Sequence, residues 1–278
     1  MRVPLHVVEA RRAKLASLIE RHRYLPVGEL CRHLGVSEAT ARRDLAQLAS
    51  RHKVKRTHGG ALAEFNERFP SFHERQATAA RAKSKVAAAA ARLIYPGGTY
   101  FFDSGTTIFA LAEVFRANPV VPSTIVTSNL PVAELLSSVP DLKIFLTAGQ
   151  LLGRQSVLLG ETARRSLEFW DFDAAFLSAE AANKHGIWNS QSLIVQQQHV
   201  AIKRSRRAVY CLDSSKIGRS APFLLKKWPE TDLLLTDASA ARLEKAGITP
   251  DATTLISRDS PSPDLRPPDK SGLPVHFL

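Results

Sequence analysis

The chain has 278 residues, of which 44% are hydrophobic and 23% are charged. This composition excludes a fibrous or wholly disordered protein, and the length allows one large domain or two of unequal size. The formal net charge is +12, from 38 Lys and Arg against 26 Asp and Glu. Such an excess favours a polyanionic partner, either nucleic acid or an acidic membrane surface.

The positive charge is concentrated near one end of the chain. Residues 1–62 contain 13 Lys and Arg and 5 acids, a net charge of +8, whereas residues 63–278 contain 25 and 21, a net charge of +4. Cys31 and Cys211 are far apart and have no CxxC partner, so neither a disulfide framework nor a cysteine-rich zinc site is expected. With no signal peptide or membrane span in the pattern, we expect a cytoplasmic protein.

Residues 10–62 predict three short helices followed by a small basic hairpin. The second helix has apolar residues at i, i+3, i+4 and i+7 from Val27, and Gly35 ends it. Ser37 is the predicted N-cap of the third helix. The buried stripe of that helix would consist of Ala41, Leu45 and Leu48.

The opposite side of the third helix carries residues that suit the major groove of DNA. Its two arginines can bind guanine edges or phosphates, and its glutamine can read adenine. These residues are Arg42, Arg43 and Gln47, with Thr40 at the edge. The hairpin would lie along phosphates as a wing, with Lys53, Lys55, Arg56 and His58. Solvated charges on an ordinary surface helix are the alternative, but they do not account for the helix spacing, the glycine turn and the basic hairpin together.

The segment Leu34–Leu45, LGVSEATARRDL, is followed at 56–61 by RTHGGA. Together they resemble the winged helix-turn-helix of DeoR/GlpR-type bacterial transcription regulators. The resemblance implies that Ser37, Thr40, Arg42 and Arg43 touch operator DNA. It also implies repression of a carbohydrate-utilisation operon.

Beyond the winged helix-turn-helix domain of residues 1–62, we expect a linker at 63–82 and a second domain at 83–256. Helical and β-prone segments alternate in this second domain, which predicts a mainly parallel α/β sheet. The expected helices are 83–94, 106–117, 131–138, 192–205 and 238–246, and the expected strands are 99–102, 124–127, 143–147, 174–178, 208–212 and 233–236. Residues 257–278 hold five of the sixteen prolines and are expected to be a disordered tail.

Polar residues follow the predicted strands at their carboxyl ends, where open parallel sheets bind ligands. The run Asp103, Ser104, Gly105, Thr106 and Thr107 leads from a strand into a helix. It could cradle an anion, although a simple N-cap is the commoner meaning of such a run. Other strands are followed by Thr127, Ser128 and Asn129, by Gly149, and by Asp213 and Lys216. Lys216 could neutralise a phosphate, while Asp103, Asn129 or Asp213 could accept sugar hydroxyls.

These strand-end segments resemble the effector-sensing domain of DeoR-type regulators. The resemblance implies a fold related to ribose-5-phosphate isomerase and the sensing of a phosphorylated sugar. Departures from the family pattern at Ala182, Asn183 and the three glutamines 196–198 remove charge, so an uncharged sugar remains an alternative effector. The glutamines could bond hydroxyls or form an exposed amide-rich helix face.

The sequence therefore predicts a repressor that binds double-stranded operator DNA as a dimer or tetramer and is controlled by a sugar or sugar phosphate. We expect no catalytic residue and no cofactor. We also expect no metal site, since the nine histidines have no zinc-site spacing. One alternative is a sugar-phosphate isomerase or transferase with a DNA-binding appendage, in which Asp103 or Asp213 moves protons. Another is a nucleoid-type DNA coater without operator preference.

Overall fold

The computed structural model describes residues 4–22, 24–50, 54–56, 60–63, 70–228, 233–249 and 254–256. The tail expected at 257–278 lies outside the described residues. No described helix is long and apolar enough to cross a membrane.

The N-terminal domain contains three helices and a small antiparallel sheet. The elements are α1 (Leu5–His22), β1 (Tyr24–Pro26), α2 (Val27–Leu34), α3 (Glu38–Ser50), β2 (Val54–Arg56) and β3 (Gly60–Ala63). The strand order is β1-β3-β2, so the predicted hairpin gains a third strand from the connection between α1 and α2. Gly35 ends α2 with φ +64°, a conformation that glycine adopts without strain.

The core of this domain contains the predicted stripe of α3. Ala41, Leu45 and Leu48 are buried against apolar residues of α1, β1 and α2. Because this face of α3 is held by the core, the opposite face is left on the outside.

The second domain is built on a seven-stranded sheet in which every neighbouring pair is parallel. Its strands are, in spatial order, β15 (Thr254–Ile256), β14 (Leu233–Thr236), β12 (Ala208–Cys211), β9 (Ala174–Leu177), β4 (Thr99–Phe102), β5 (Ser123–Thr127) and β6 (Leu142–Leu146). Its helices are α4 (Phe72–Ala77), α5 (Ala80–Ala91), α6 (Thr106–Ala117), α7 (Leu130–Leu136), α8 (Glu161–Leu167), α9 (Ser192–Lys203) and α10 (Ala240–Lys245). The predicted mainly parallel α/β domain is confirmed.

Both faces of the sheet are covered by apolar side chains. On β4, Tyr100 and Phe102 belong to one apolar cluster and Phe101 to the other, and all three are fully buried. This alternation follows from the two-residue period of a strand. It explains why the strands read as continuous apolar runs rather than alternating ones.

Short strands outside the main sheet were not expected from the sequence. β7 (Gln150–Leu152) pairs with β8 (Val157–Leu159), and a second small sheet contains β10 (Ala181–Asn183), β11 (Gly186–Asn189) and β13 (Phe223–Lys226). Most contain only three residues, too few for a periodic apolar pattern to reveal them.

The second half of the segment predicted as a linker, 63–82, is helical and belongs to the second domain. α4 begins after Pro70, because Ser71 and Glu74 form a capping box at its start. Phe72 is buried and packs edge-on against Phe109 of α6, with ring centroids 5.4 Å apart. The helix expected at 83–94 begins at Ala80, whereas the other predicted elements of the main sheet and its helices agree within two residues at each end.

Candidate DNA-binding face and effector cavity

The outward face of α3 presents the side chains expected to meet DNA. Arg42, Arg43 and Gln47 are exposed, and Thr40 is half-buried. Ser37 Oγ accepts a hydrogen bond from Thr40 N at 3.4 Å and lies 3.0 Å from Thr40 Oγ1. The two hydroxyls therefore lie together at the N-terminal end of the helix, where backbone N–H groups favour phosphate.

The two arginines of this face have different surroundings. The Arg42 guanidinium is paired with Glu38, one turn earlier, with Nη2 2.5 Å and Nε 2.9 Å from Oε1. Among the described residues Arg43 has no such ion pair. In the predicted contact with DNA, Arg42 would exchange this carboxylate for DNA, whereas Arg43 would have no such ion pair to exchange.

A buried carboxylate ties α3 to α1. Asp44 is 1% exposed, and its oxygens accept hydrogen bonds from Arg11 Nε at 2.6 Å and Arg12 Nε at 2.8 Å. Burial by itself would raise the pKa of Asp44, but the two guanidinium groups outweigh burial and lower it. Sequence reasoning missed this contact, although Asp44 lies within the buried stripe between Ala41 and Leu48 and so required a cationic partner.

The wing is only partly described. Lys55 and Arg56 lie on β2, opposite Leu62 and Ala61 of β3. Lys53 and His58 lie outside the described residues. The proposed phosphate contacts of all four wing residues remain predictions.

A cavity of about 140 Å³ opens at the carboxyl ends of β4, β9 and β12. It lies where a parallel sheet places ligands, because the loops that follow these strands converge there. Six of the residues predicted to bind effector line it: Ser104, Gly105, Thr106, Thr107, Asp213 and Lys216.

Five other predicted residues are not among those that line the cavity: Asp103, Thr127, Ser128, Asn129 and Gly149. Asp103 lies beneath the floor, where its Oδ2 accepts hydrogen bonds from Ser178 N, Ser178 Oγ and Gln198 Nε2. Thr127 Oγ1 donates to Phe102 O at 2.6 Å, and Asn129 Nδ2 donates to Ser104 O at 3.1 Å. Their polar atoms hold the strand-end loops in place instead of facing the cavity.

Ser128 and Gly149 also lie within the protein framework. Ser128 is fully buried. Gly149 has φ +124°, and a Cβ there would lie 2.6 Å from Leu159 O. A side chain would therefore clash at Gly149, so this glycine permits a close approach of two loops.

Asp213 and Gln155, which line the cavity, each have a buried polar atom without a hydrogen-bond partner among the described residues. Asp213 Oδ1 accepts from Ser215 N at 2.9 Å, but Oδ2 has no partner. Gln155 is 4% exposed, and its Nε2 donor also has none. An acceptor and a donor of this kind match a hydroxyl group, which can both donate and accept.

Cationic side chains gather at the same cavity. Lys216 Nζ donates to Glu180 Oε2 at 3.0 Å, and the exposed Arg219 follows in the same loop. Lys83 is 5% exposed and donates to the carbonyl oxygens of Arg75 and Thr78, the latter at 2.6 Å. Burial is the main cause that lowers the pKa of Lys83 to about 8, with Asp213 opposing the change.

Sequence reasoning missed several of these wall residues. Arg75, Gln155, Glu180 and Arg219 each lie in a segment with no recognisable ligand pattern. Of these residues, Glu180 was the one that sequence reasoning could most readily have found, since it follows β9 at the same sheet edge as the predicted loops.

The glutamine run of α9 divides between surface and interior. Gln196 is exposed, whereas Gln197 and Gln198 are buried. Gln198 Nε2 donates to Asp103 Oδ2 at 2.8 Å and to Ser178 O at 2.7 Å. This amide therefore supports the cavity floor, which neither reading of the run anticipated.

Residues 78–238 match the family model for the DeoR C-terminal sensor domain, and residues 11–67 match that for the DeoR-like helix-turn-helix domain. The chain belongs to the DeoR family. The predicted family is thereby confirmed, as is the order of its two parts.

Named members of the family share about three tenths of their residues with this DeoR-family chain. The HTH-type transcriptional repressor GlcR of Bacillus subtilis is 28% identical over 230 residues, which cover 82% of this chain and 88% of GlcR. The glycerol-3-phosphate regulon repressor of Escherichia coli is 31% identical, covering 81% and 88% of the two chains. The lactose phosphotransferase system repressor of Staphylococcus aureus is 30% identical, covering 74% and 82%.

Solved structures show only a slight likeness. Ribose 5-phosphate isomerase A of Methanocaldococcus jannaschii has a TM-score of 0.32 and 16% identity, covering 48% of this chain and 52% of its own. The enzyme of the same name from Neisseria gonorrhoeae has a TM-score of 0.33 and 16% identity, with the same coverage. Similarity at this level assigns no reaction to the DeoR-family chain.

Proposed function

We propose that this protein represses a carbohydrate-utilisation operon and that a phosphorylated sugar controls its affinity for operator DNA. The observation that supports a phosphorylated effector is the set of side chains that line the cavity. It combines four cationic side chains, Arg75, Lys83, Lys216 and Arg219, with an unpaired carboxylate oxygen and an unpaired amide donor.

The charges of the wall favour a phosphorylated ligand over a neutral sugar. Against the four cations stand two acids, Glu180 and Asp213, which leaves a formal charge of +2 on the lining side chains. A phosphomonoester carries close to two negative charges at neutral pH. The N-terminus of α6, formed by Gly105 and Thr106, opens on the same space and adds the positive end of a helix dipole.

The sugar part of the ligand would meet the unpaired atoms. Asp213 Oδ2 would accept a hydrogen bond from one sugar hydroxyl, and Gln155 Nε2 would donate a hydrogen bond to a hydroxyl oxygen. A buried polar atom without a partner costs about 1–3 kcal/mol, so a ligand that pairs both atoms gains affinity and specificity.

DNA binding would use α3 in the major groove and the wing along the backbone. Arg43 would read a guanine or hold a phosphate, while Arg42 exchanges Glu38 for DNA. Effector control would follow from linkage: a ligand that binds more tightly to the conformation with low operator affinity shifts the population away from DNA.

A thermal-unfolding screen of the full chain tests the effector class. We expect ribose 5-phosphate, glucose 6-phosphate or glycerol 3-phosphate to raise the Tm, and the corresponding unphosphorylated sugars and glycerol to leave it unchanged. The Asp213→Asn variant should lose part of the shift. Stabilisation by the unphosphorylated compounds alone would refute the phosphorylated effector.

Operator specificity is tested with a duplex selected from random DNA by the full chain. We expect Arg43→Ala to lower the preference for this duplex over random DNA by roughly 1–3 kcal/mol. A protein that binds both DNAs equally, with or without sugar phosphates, would instead be a general DNA coater.

The enzyme alternative has less support in the cavity. Asp103 does not line it, and Glu180 is paired with Lys216. The proposal therefore assigns binding without turnover. Turnover of ribose 5-phosphate or glucose 6-phosphate, measured by NMR and lost in Asp213→Asn, would establish an isomerase instead.

The proposal includes self-association, since two DNA-binding domains on one assembly can hold two half-sites. An apolar surface at the edge of the main sheet is suited to it. Phe145 and Leu146 of the outer strand β6 are partly exposed, Phe169 is 87% exposed, and Trp170 packs on Phe145 with ring centroids 4.8 Å apart.

A further inference from the structure

The effector cavity extends beyond the residues that match the family model of the sensor domain. The two family matches end at residue 67 and begin at residue 78, so α4 lies between them. Arg75 of this helix nevertheless lines the cavity, together with Thr78 at the start of the sensor match.

We propose that Arg75 is an effector-binding residue and that α4 passes the effector's presence to the DNA-binding domain. The proposal depends on the anionic effector proposed above and adds to it the segment that reads that effector. Only residues 64–69 separate strand β3 of the wing from Pro70, where the described chain resumes. A shift of α4 therefore acts on the chain close to the DNA-binding surface.

α4 is held where Arg75 can reach a ligand. The capping box of Ser71 and Glu74 fixes the start of the helix, and Phe72 anchors it edge-on to Phe109. Phe109 lies one turn into α6, the helix whose N-terminus borders the cavity. The anion-binding end of α6 and the helix that carries Arg75 are thus joined by one aromatic contact.

Lys83 connects the other end of α4 to the same cavity. Its Nζ donates to the carbonyl oxygens of Arg75 and Thr78, at the point where the chain turns from α4 into α5. Arg75 and Lys83 carry like charges at one wall, and Arg75 is among the groups that disfavour the charged form of Lys83. An anion bound between them removes this repulsion and so holds α4 more firmly against the sensor domain.

The test compares full-length Arg75→Ala with Arg81→Ala. Arg81 is an exposed arginine of α5, six residues further along and outside the cavity wall, so its loss controls for charge alone. Calorimetry measures the binding of ribose 5-phosphate, glucose 6-phosphate and inorganic phosphate. Fluorescence anisotropy measures the affinity for the selected duplex with and without each compound.

We expect Arg75→Ala to weaken binding of the best phosphorylated probe roughly 10- to 100-fold, as for a lost charge-assisted hydrogen bond. Without ligand, the affinity of Arg75→Ala for the selected duplex should stay within about threefold of the wild-type affinity. When the ligand concentration is high enough to saturate the variant, the duplex should stay bound to it. Arg81→Ala should behave as the wild type. Arg75→Lys should retain part of the binding, which shows that a loss in Arg75→Ala is not misfolding.

The proposal would be overturned if Arg75→Ala bound the probe with the affinity of the wild type. It would also be overturned if saturating ligand released the duplex fully from this variant. Both results would leave the proposed repressor function intact, because the wild type still responds. A wild type that binds no phosphorylated probe would overturn the effector class and this proposal together.

Discussion

Single side chains beneath the cavity determine its shape. Asp103 Oδ2 accepts three hydrogen bonds, from Ser178 N and Oγ at 2.9 Å and from Gln198 Nε2 at 2.8 Å. Burial is the largest influence on this carboxyl and raises its pKa, while the hydrogen bonds oppose that change. The Ser178 hydroxyl is thereby held against Gly105 in the loop proposed to bind the anion.

The close approach at Gly105 makes that position sensitive to any side chain. A Cβ on Gly105 would lie 2.0 Å from Ser178 Oγ and 2.3 Å from Ser178 Cβ, and neither atom can move without breaking the bonds to Asp103. We expect Gly105→Ala to lower the free energy of unfolding by about 1–3 kcal/mol and to weaken binding of sugar phosphates. Urea unfolding and calorimetry measure the two effects.

Gly153→Ala provides the control for that change, because a Cβ at Gly153 meets nothing within 4 Å. It should leave both quantities close to wild type. If Gly105→Ala also left the stability and the binding of sugar phosphates unchanged, the loop would be able to move away from Ser178, and the close packing at Gly105 would not constrain it.

Lys83 predicts a pH dependence of effector binding. Its pKa is about 8, and its neighbours at the cavity are Arg75, Lys216, Asp213 and Glu180. A sugar phosphate is a dianion throughout the range from pH 7.5 to 9.5, since its second pKa is near 6. We therefore expect its affinity to fall several-fold as pH rises through about 8 and Lys83 loses its charge.

Calorimetry across this range measures the effect, with Lys83→Arg as the variant that keeps the charge and should not show the decline near pH 8. The stability contribution has the opposite sign. Because the folded pKa lies below the ordinary 10.5, the unfolded chain binds more protons between these values, so the contribution of Lys83 to stability rises from about pH 8 upward. An affinity that is constant with pH would show that Lys83 does not face the anion.

At the scale of secondary-structure elements, the position of the predicted recognition helix α3 depends on its contacts with the rest of the domain. Apolar contacts of Ala41 and Leu45 hold one side, and Asp44 adds two ion pairs to α1. The guanidinium groups of Arg11 and Arg12 are largely buried, so removal of Asp44 would leave two cations without their partner.

We expect Asp44→Ala to destabilise the DNA-binding domain by roughly 3 kcal/mol at pH 7 and to weaken operator binding. The lowered pKa of Asp44 means that its stabilisation is present above about pH 4 and is lost as pH falls through the folded pKa. The difference in the free energy of unfolding between Asp44→Ala and the wild type should therefore become smaller towards pH 2. Urea unfolding followed by far-UV circular dichroism measures it.

Glu38→Ala removes the exposed partner of Arg42 and serves as the matched control for Asp44→Ala. Its effect on stability should stay within about 0.5 kcal/mol, because exposed ion pairs contribute little. Equal losses in the two variants would contradict the special position of Asp44 in the interior.

At the scale of the whole molecule, the edge of the main sheet is the prominent apolar surface among the described residues. Phe145 packs on Trp170 there, and the exposed Phe169 precedes Trp170 in the chain. Edge strands with exposed aromatic residues are natural sites of association. We expect Phe145→Glu with Phe169→Glu to lower the oligomeric state in sedimentation experiments and to weaken operator binding through the loss of paired half-sites.

Leu193→Glu is the control for this change, since Leu193 is similarly exposed on α9 and lies outside that surface. It should leave the oligomeric state unchanged. An unaltered assembly in the double variant would place the interface between subunits elsewhere.

The sequence by itself determined the kind of elements and their order. The apolar stripe of α3 and the alternation of strands and helices follow from local periodicity, which any segment carries within a dozen residues. The polar residues at strand ends were equally visible, because parallel strands place all their carboxyl ends at one edge. The DNA-binding helix, the sheet domain and the general location of the cavity could therefore be predicted.

Only the tertiary structure decided which of those polar groups line the cavity. Asp103 and Gln198 are 95 residues apart in sequence and hydrogen-bonded in space, because β9 lies between β4 and β12 in the sheet. No local pattern specifies that strand order, nor the packing of Phe72 that brings Arg75 of the expected linker to the cavity. Periodicity determines which side of an element is buried, whereas long-range packing determines which residues meet there.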